Sequence, residues 1–516
     1  MKQSILILDF GSQVTKLIAR RIREFGVFSQ IIPFDSLSKS FFSKNNVKGI
    51  IFSGGPRSVE NKKSPKPPTF VYELKLPILG ICYGLQLICK HFNGTVKPSM
   101  DREFGKKEIS VLKNSRLIDG TYSKKKKYQV WMSHSDTIDH LPVNFENVAS
   151  SNNCKSAIVQ NTKKSLFGVQ FHPEVVHTPH GNELLKNFVL KICSCKPDWN
   201  MKFFKDEMVD EIRKKVGKQY VICGLSGGVD STVTAILVHQ AIQEQLKCVF
   251  VDTGLMRQNE VSEIRELFNK HFNIHLDVID GSQKFFKMLK GVSNPEKKRK
   301  LIGKQFIDIF ENYSKKQSKI RYLAQGTLYP DVIESSSKIG KSSVTIKSHH
   351  NVGGLPKNMK LKLLEPLRNL FKDEVRELGK ELNIPSKFIK RHPFPGPGLG
   401  IRVLGEVTKR NVEILRKADE IFIRLIKKKG LYDKIWQAFC VLLPVKTVGV
   451  MGDDRTYERI CVLRAVTSID GMTAEAYQFN NDFLNLCSNE IINKVSGINR
   501  VCYDFTSKPP GTIEYE

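Results

Sequence analysis

Twice in this chain a short apolar run breaks into a loop of small residues and resumes as an apolar helix. The first is Pro77-Ile78-Leu79-Gly80-Ile81-Cys82-Tyr83-Gly84-Leu85-Gln86, after which Leu85, Ile88, Cys89 and Phe92 keep helical spacing. The second is Tyr220–Gly224, followed by Ser226-Gly227-Gly228-Val229-Asp230-Ser231-Thr232 and an apolar stretch through Ala241. Strand, loop and helix in that order build a parallel sheet with helices on its faces. Functional groups in such sheets collect beyond the carboxyl ends of the strands. A chain of 516 residues exceeds one core, and its length suggests about three domains. Compositional breaks at Lys196-Pro197-Asp198 and at the Pro/Gly-dense run Arg391–Arg402 place the expected boundaries at 1–196, 197–391 and 392–516. The fold class expected is α/β, with two doubly wound parallel-sheet domains, plus a small α+β C-terminal domain.

Bulk properties narrow the class. No apolar run approaches the roughly 18 residues of a membrane span, and Met1-Lys2-Gln3-Ser4-Ile5-Leu6-Ile7-Leu8-Asp9 reads as a first strand, not a signal peptide. A cytoplasmic protein with no membrane association is expected. The eleven cysteines include no Cys-x-x-Cys pair, so most are expected to be reduced core thiols. The net charge of +30 invites a nucleic-acid reading. Its lysines, however, fall in dispersed clusters such as Glu296–Lys300 and Lys427–Lys429, without interleaved aromatics to stack on bases. Nucleic acid is therefore not the expected partner.

Chemistry is concentrated at the loops. Cys82 stands between glycines two positions away on either side, at a strand-to-helix turn, which is a nucleophile elbow. The glycines are expected to permit the turn, and the helix N-terminus favours a thiolate. Backbone N–H groups of Tyr83 and of the Gly54-Gly55 loop are candidates for an oxyanion hole. A base is offered by Phe167-Gly168-Val169-Gln170-Phe171-His172-Pro173-Glu174. Pro173 forces His172 into extended chain, where Glu174, two residues on, shares its side. A Cys–His pair oriented by a carboxylate suits acyl transfer through a thioester. These two strings together resemble class I glutamine amidotransferases. The resemblance implies a flavodoxin-like glutaminase in which Cys82 attacks the glutamine side chain, His172 serves as base and then acid, and Glu174 orients His172. It further implies that Gln86, Ser133, His134 and Asp136 hold glutamine, with Asp136 toward its α-amino group.

Ser226–Thr232 lacks the Gly-Lys-Ser/Thr of a Walker loop, yet a glycine-rich loop opening a helix presents N–H groups to phosphate. Asp252, ending the next strand-like run, lies at the same sheet edge. Asp230 and Asp331 are candidate Mg²⁺ ligands, since that ion takes a few carboxylates with phosphate oxygens. Ser-Gly-Gly-x-Asp-Ser resembles the loop of N-type ATP pyrophosphatases, which implies an adenine nucleotide α-hydrolase-like domain binding ATP through Ser226, Gly227, Gly228, Val229, Asp230, Ser231, Thr232 and Asp252. Gln325–Glu334 and Ile346–Pro356, with Pro395-Gly396-Pro397-Gly398-Leu399-Gly400 and Lys508-Pro509-Pro510-Gly511-Thr512-Ile513-Glu514, resemble the glutamine-hydrolysing GMP synthetase family. By that resemblance Asp331, Glu334, Lys347, His349 and His350 form an adenylation site and lid. Arg299, Gln437, Lys508, Ile513 and Glu514 meet xanthosine monophosphate (XMP), and the C-terminal domain makes a homodimer. The implied substrates are XMP, ATP and L-glutamine, with Mg²⁺ accompanying ATP and no prosthetic group. The implied reaction is adenylation of XMP followed by amination to GMP. Related loop enzymes fit less well: asparagine synthetase uses an N-terminal cysteine where Lys2 follows Met1, and NAD synthetase carries a nitrilase-like domain not seen here.

Overall fold

A computed structural model describes residues 2–317, 319–336, 361–451, 454–468 and 473–516. The chain divides into two compact units, with the break at Phe203 and Phe204.

The first unit is built on one nine-stranded sheet, ordered β2-β1-β3-β4-β9-β8-β7-β5-β6. Its strands are β1 (Gln3–Asp9), β2 (Phe28–Pro33), β3 (Asn46–Phe52), β4 (Ile78–Ile81), β5 (Thr95–Val111), β6 (Lys127–His140), β7 (Glu146–Ser150), β8 (Ile158–Asn161) and β9 (Leu166–Val169). The first five in that order pair in parallel, as the alternating strand and helix pattern predicts. The remaining four join antiparallel, an extension that the parallel-sheet reading does not contain. β4 and β9 are buried throughout, because helices cover both faces of a parallel sheet and its strands become continuous apolar runs.

The second unit holds two sheets. β10 (Tyr220–Leu225), β11 (Leu246–Asp252), β12 (Leu276–Asp280), β13 (Ile320–Ala324) and β14 (Lys362–Leu364) are all parallel, in the order β12-β11-β10-β13-β14. The strand order reverses between β10 and β13, the position where doubly wound sheets open a ligand crevice. β15 (Gln437–Met451), β16 (Asp454–Thr467), β17 (Glu475–Ala476) and β18 (Ile498–Tyr503) form a mixed sheet. One apolar core runs from Ile222 and Val249 through Leu399 and Phe422 to Leu463 and Ile498. The Pro/Gly run before Arg402 is thus part of a shared core and does not interrupt it.

Among the described residues no helix is long and apolar enough to cross a membrane. The described cysteines are all free thiols, and Cys502 is the exposed one.

Helix Tyr83–His91 lies so close to β3 that a Cβ on Gly84 would stand 2.4 Å from the Phe52 carbonyl oxygen. Backbone on backbone cannot yield as a flexible side chain can. Gly84→Ala should therefore destabilise the first unit by about 1–3 kcal/mol, lowering its calorimetric transition by roughly 2–4 °C per kcal/mol.

Candidate active site

β4 delivers Cys82 to the edge of the first sheet. Its N–H donates to the Val169 carbonyl at 2.8 Å, and its carbonyl accepts the N–H of Gln86 at 3.2 Å, so strand passes into helix without a spacer. Cys82 pays for this with φ 50° and ψ −105°, a conformation that persists in a non-glycine residue only where the surroundings enforce it. The positive φ belongs to the cysteine; neither Gly80 nor Gly84 has one. The glycines act by clearance, since a Cβ on Gly80 would sit 2.5 Å from the Leu85 nitrogen. The helix N-terminus then stabilises negative charge on the sulfur.

β9 leads to His172, whose N–H donates to the Trp131 carbonyl at 3.0 Å. Its carbonyl accepts the Thr178 hydroxyl at 2.7 Å. Its Nδ1 lies 2.8 Å from Oε1 of the fully buried Glu174, as the extended Pro173 segment predicts. Burial opposes charge on His172, but the Glu174 carboxylate and a hydrogen bond with the Cys82 side chain prevail, holding its pKa well above the ordinary histidine range. The structure thus brings Cys82, His172 and Glu174 together.

The Gly54-Gly55 loop packs against both halves of this arrangement. A Cβ on Gly54 would meet His172 Cε1 at 3.1 Å, and one on Gly55 would meet Tyr83 Cδ1 at 3.0 Å. The Tyr83 hydroxyl donates to the Pro65 carbonyl at 2.6 Å, and burial pushes its pKa up to about 12.

β6 completes the site. The Cys82 thiol donates to the Ser133 carbonyl at 3.6 Å. Gln86, also buried, donates from Nε2 to the Asp136 carbonyl at 3.1 Å and to Gln170 Oε1 at 3.4 Å. Asp136 is buried, and among the described residues its Oδ2 has no hydrogen-bond partner. An unpaired buried carboxylate oxygen is costly unless a cationic ligand completes it. Gln170 is a residue the motif reading passed over: its Nε2 donates to the Cys82 sulfur at 3.6 Å. Strand alternation was the available signal, because Gln170, His172 and Glu174 fall two apart.

In the second unit the loop after β10 is folded on itself. Gly227 has φ +79°. The Ser231 hydroxyl donates to the Gly228 carbonyl at 3.1 Å, and Thr232 Oγ1 donates to the same oxygen at 3.0 Å. The Ser226 N–H donates to Ser231 Oγ at 3.3 Å, and Val229 begins the helix with Asp230 in its first turn. Lys372, which sequence reasoning missed, reaches both carboxylate oxygens of Asp230 at 2.6 Å. Arg391 donates to the Gly227 carbonyl at 3.3 Å. Asp252 Oδ1 accepts the Gly254 N–H at 2.9 Å, and Asp331 Oδ2 accepts the Leu328 N–H at 3.0 Å. Asp331 thereby caps the helix Tyr329–Ser336, within which Glu334 also falls. Lys347, His349 and His350 lie outside the described residues. A cavity of about 1200 Å³ opens beside β11, lined by Asp252, Gly254, Arg257, Phe286 and Arg416 among others. Asp252 is the one predicted site residue on its wall.

The predicted XMP residues are partly gathered. Glu514 accepts from Gln437 Nε2 at 2.6 Å and, bidentately, from the fully buried Arg402 at 2.7 and 3.0 Å. Arg402 follows the Pro/Gly-dense run directly, and sequence reasoning gave it no role. Arg299 feels the Glu514 carboxylate and donates to the Glu516 carbonyl. Ile513 packs with Phe439, Val441, Val462 and Val466. Lys508 is fixed through its backbone, paired with Ala474.

Comparison with known proteins agrees along the whole chain. Family models match as class-I glutamine amidotransferase over residues 6–192, NAD synthase over 202–302 and GMP synthase C terminal domain over 424–515. A glutamine-hydrolysing GMP synthase of Zymomonas mobilis is 56% identical, covering 100% of this chain and 98% of the relative. One from Rhizobium etli is 55% identical over 99% of this chain and 98% of its own. A solved structure from Thermoplasma acidophilum, described as a putative GMP synthase component, is 31% identical, covering 38% of this chain and 95% of its own, with a TM-score of 0.33.

The raised pKa of His172 has a testable sign. The imidazolium and the stabilisation it shares with Glu174 are fully present below the ordinary histidine pKa, and are lost only as pH rises through the raised folded value. Glu174→Gln removes the strongest influence raising that value, so the imidazolium beside Cys82 should fade at lower pH. Alkylation of Cys82 at neutral pH, followed by peptide mapping, should slow on the order of tenfold per pKa unit lost. An unchanged rate would show that Glu174 does not control the thiol.

Proposed function

The chain belongs to the glutamine-hydrolysing GMP synthase family, and from that premise we propose how its residues divide the reaction ATP + XMP + L-glutamine + H₂O → AMP + diphosphate + GMP + L-glutamate. The observation that carries the reading is the buried Cys82–His172–Glu174 arrangement at the end of β4 and β9.

Glutamine seats with its α-amino group on Asp136, whose unpartnered Oδ2 asks for a cation. Gln86 serves this pocket through the Asp136 backbone, and Ser133 and His134 line it. The Cys82 thiolate attacks the side-chain amide carbon. The oxyanion is met by the N–H groups of Tyr83 and Gly55. His172 gives its proton to the departing ammonia, and water, deprotonated by the same imidazole, then cleaves the thioester to glutamate.

ATP binds over Ser226–Thr232 with Asp252 at the neighbouring strand end, where N–H groups and the helix dipole favour phosphate. XMP is held by Arg299, Gln437, Lys508, Ile513 and Glu514, and its C2 oxygen attacks the α-phosphorus, releasing diphosphate. Adenylation makes AMP the leaving group that ammonia displaces. Asp331, Glu334, Lys347, His349 and His350 are proposed for this step. Mg²⁺ accompanying ATP would be held by Asp230 and Asp331 and would offset the charge that builds on the phosphates. For that role Asp230 would have to give up its bonds to Lys372, while Asp331 holds the Leu328 N–H.

A homodimer through the C-terminal sheet is supported by an exposed apolar face on β15 and β16. Val448 and Tyr457 are cross-strand partners, Val450 follows two residues on, and all are more than half exposed. A contiguous apolar face of this kind marks an interaction surface.

Cys82→Ala should abolish glutamine-dependent GMP formation while ammonia-dependent formation and XMP-dependent diphosphate release continue. Failure of added ammonia to rescue a folded variant would refute the division of labour. Val450→Asp with Tyr457→Asp should shift the mass measured by light scattering from a dimer to that of one 58.7 kDa chain. An unchanged mass would place the interface elsewhere.

A further inference from the structure

His134, on the wall of the proposed glutamine pocket, belongs to a buried polar cluster whose other members have no role in the chemistry above. Glu103 and His134 are register partners across β5 and β6. The next pair along is Pro98 with Asp136, so residues 99–102 of β5 stand against Ser135 alone. This bulge lies beside the Ser133 carbonyl that accepts the Cys82 thiol and beside Asp136, whose buried Oδ2 is left without a partner among the described residues. Bulges beside active sites serve to re-aim side chains, but an unpaired stretch of ladder needs something to fix it.

Glu103 supplies the fixing contact. Both it and His134 are buried. Glu103 Oε2 lies 3.1 Å from His134 Nε2, and Oε1 accepts the Ser151 hydroxyl at 2.8 Å. Ser151 Oγ in turn accepts the Cys154 N–H at 2.9 Å. On its other side His134 Nδ1 lies 3.0 Å from the Asp136 carbonyl, the oxygen that also accepts Gln86 Nε2. A carbonyl oxygen only accepts, so Nδ1 carries a proton. An ionised Glu103 also only accepts, so Nε2 must carry one as well.

We propose that Glu103 is a positioning residue for the glutaminase: its carboxylate holds His134 as a doubly protonated imidazolium, and this ion pair locks the bulge that aims Ser133 and Asp136. The inference rests on the reading of Asp136 as the glutamine contact. The groups around the pair are the Asp136 carbonyl, Cys154 and Ser151, with Lys107 acting on Glu103 and Cys82 on Cys154. Burial favours protonation of Glu103, but the hydrogen bonds from His134 and Ser151 overcome it and hold its pKa below the usual carboxylate range. The alternative use of Glu103, His134 and Cys154 is metal binding, for their donor atoms lie within 4.8 Å of one another. Against that, both imidazole nitrogens are already committed, and burial pushes the Cys154 thiol up to about 12, far from the thiolate that a metal takes.

The test uses the full chain labelled with ¹⁵N-histidine, the His134 signals being assigned with His134→Asn. Both ring nitrogens should show imidazolium shifts near neutral pH, and Glu103→Gln should convert them to a neutral tautomer. The same variant should raise KM for glutamine on the order of 10- to 100-fold, the scale of a misplaced contact, with a much smaller change in kcat. Ammonia-dependent synthesis, which belongs to the second unit, should be retained, and circular dichroism of the variant serves as the folding control. If Glu103→Gln does not fold, Ser151→Ala, which removes one of the two bonds to Glu103, should move KM in the same direction by less. A neutral His134 in the unmodified protein, an unchanged KM, or stoichiometric bound metal would each overturn the proposal. So would a loss of ammonia-dependent synthesis in parallel with the glutamine-dependent one in a variant that folds. Asp136→Asn is measured alongside. If it leaves KM unchanged, the reading of Asp136 fails; if it raises KM while Glu103→Gln does not, only the ion-pair proposal fails.

Discussion

The hydrogen bond from the Cys82 N–H to the Val169 carbonyl is the link on which the first site depends. It ties the elbow after β4 to the end of β9, three residues before His172. Because neighbouring parallel strands run at fixed spacing, this bond sets sulfur and imidazole side by side before any side chain contributes. The positive φ at Cys82 is the conformational cost of that junction. The close approaches of Gly80 to the Leu85 nitrogen and of Gly84 to Phe52 leave no wider path for the chain. Strain, clearance and reactivity are therefore one feature: the tight turn that distorts Cys82 also seats its sulfur at the start of a helix.

The two α/β sheets solve a shared problem with different loops. After β4 the chain enters its helix at once and presents a side chain at the turn, which suits a nucleophile. After β10 it takes three residues, Ser226–Gly228, before the helix, and turns hydroxyls inward onto Gly228. Folding those side chains back leaves the loop's outer surface to backbone, which suits an anion. Lys372 on Asp230 and Arg391 on Gly227 place cations at the same end. A turn that presents a side chain and a loop that presents backbone thus arise from one architecture by a change of a few residues.

What the sequence made legible follows from this. Parallel-sheet logic put Cys82, His172 and the Ser226–Thr232 loop at strand ends, where the structure has them, and extended chain put Glu174 on the side of His172. Glu103, Lys372 and Arg402 were not found. Each is a single polar residue whose meaning comes from a partner at least 31 positions away, Glu103 to His134 being the shortest such separation. Periodicity cannot report such pairings. The antiparallel extension β5–β8 escaped for a related reason, since its register depends on a bulge that no local pattern marks. Asp331 was expected as a Mg²⁺ ligand from its carboxylate alone, and its helix-capping bond to Leu328 needed coordinates.

Part of the positive charge that suggested nucleic acid is used inside the second unit. Arg402, Arg464 and Lys298 are fully buried. Arg402 grips Glu514; Arg464 donates to the Asp504 and Thr512 carbonyls at 3.2 Å each and pairs with Asp504; Lys298 donates to the Val403 carbonyl at 2.8 Å and pairs with Glu516. A buried cation without its partner costs about 3–5 kcal/mol, so these three bind the tail to the body of the unit more firmly than the apolar contacts of Ile513 would alone. Burial also draws Lys298 below the ordinary lysine range against the pull of Glu516, as expected of a charge kept for its partner and not for solvent. The tail segment resembling a nucleotide contact is thereby held by charge pairs, a form of attachment that an anionic ligand can compete for in a way that an apolar core does not allow.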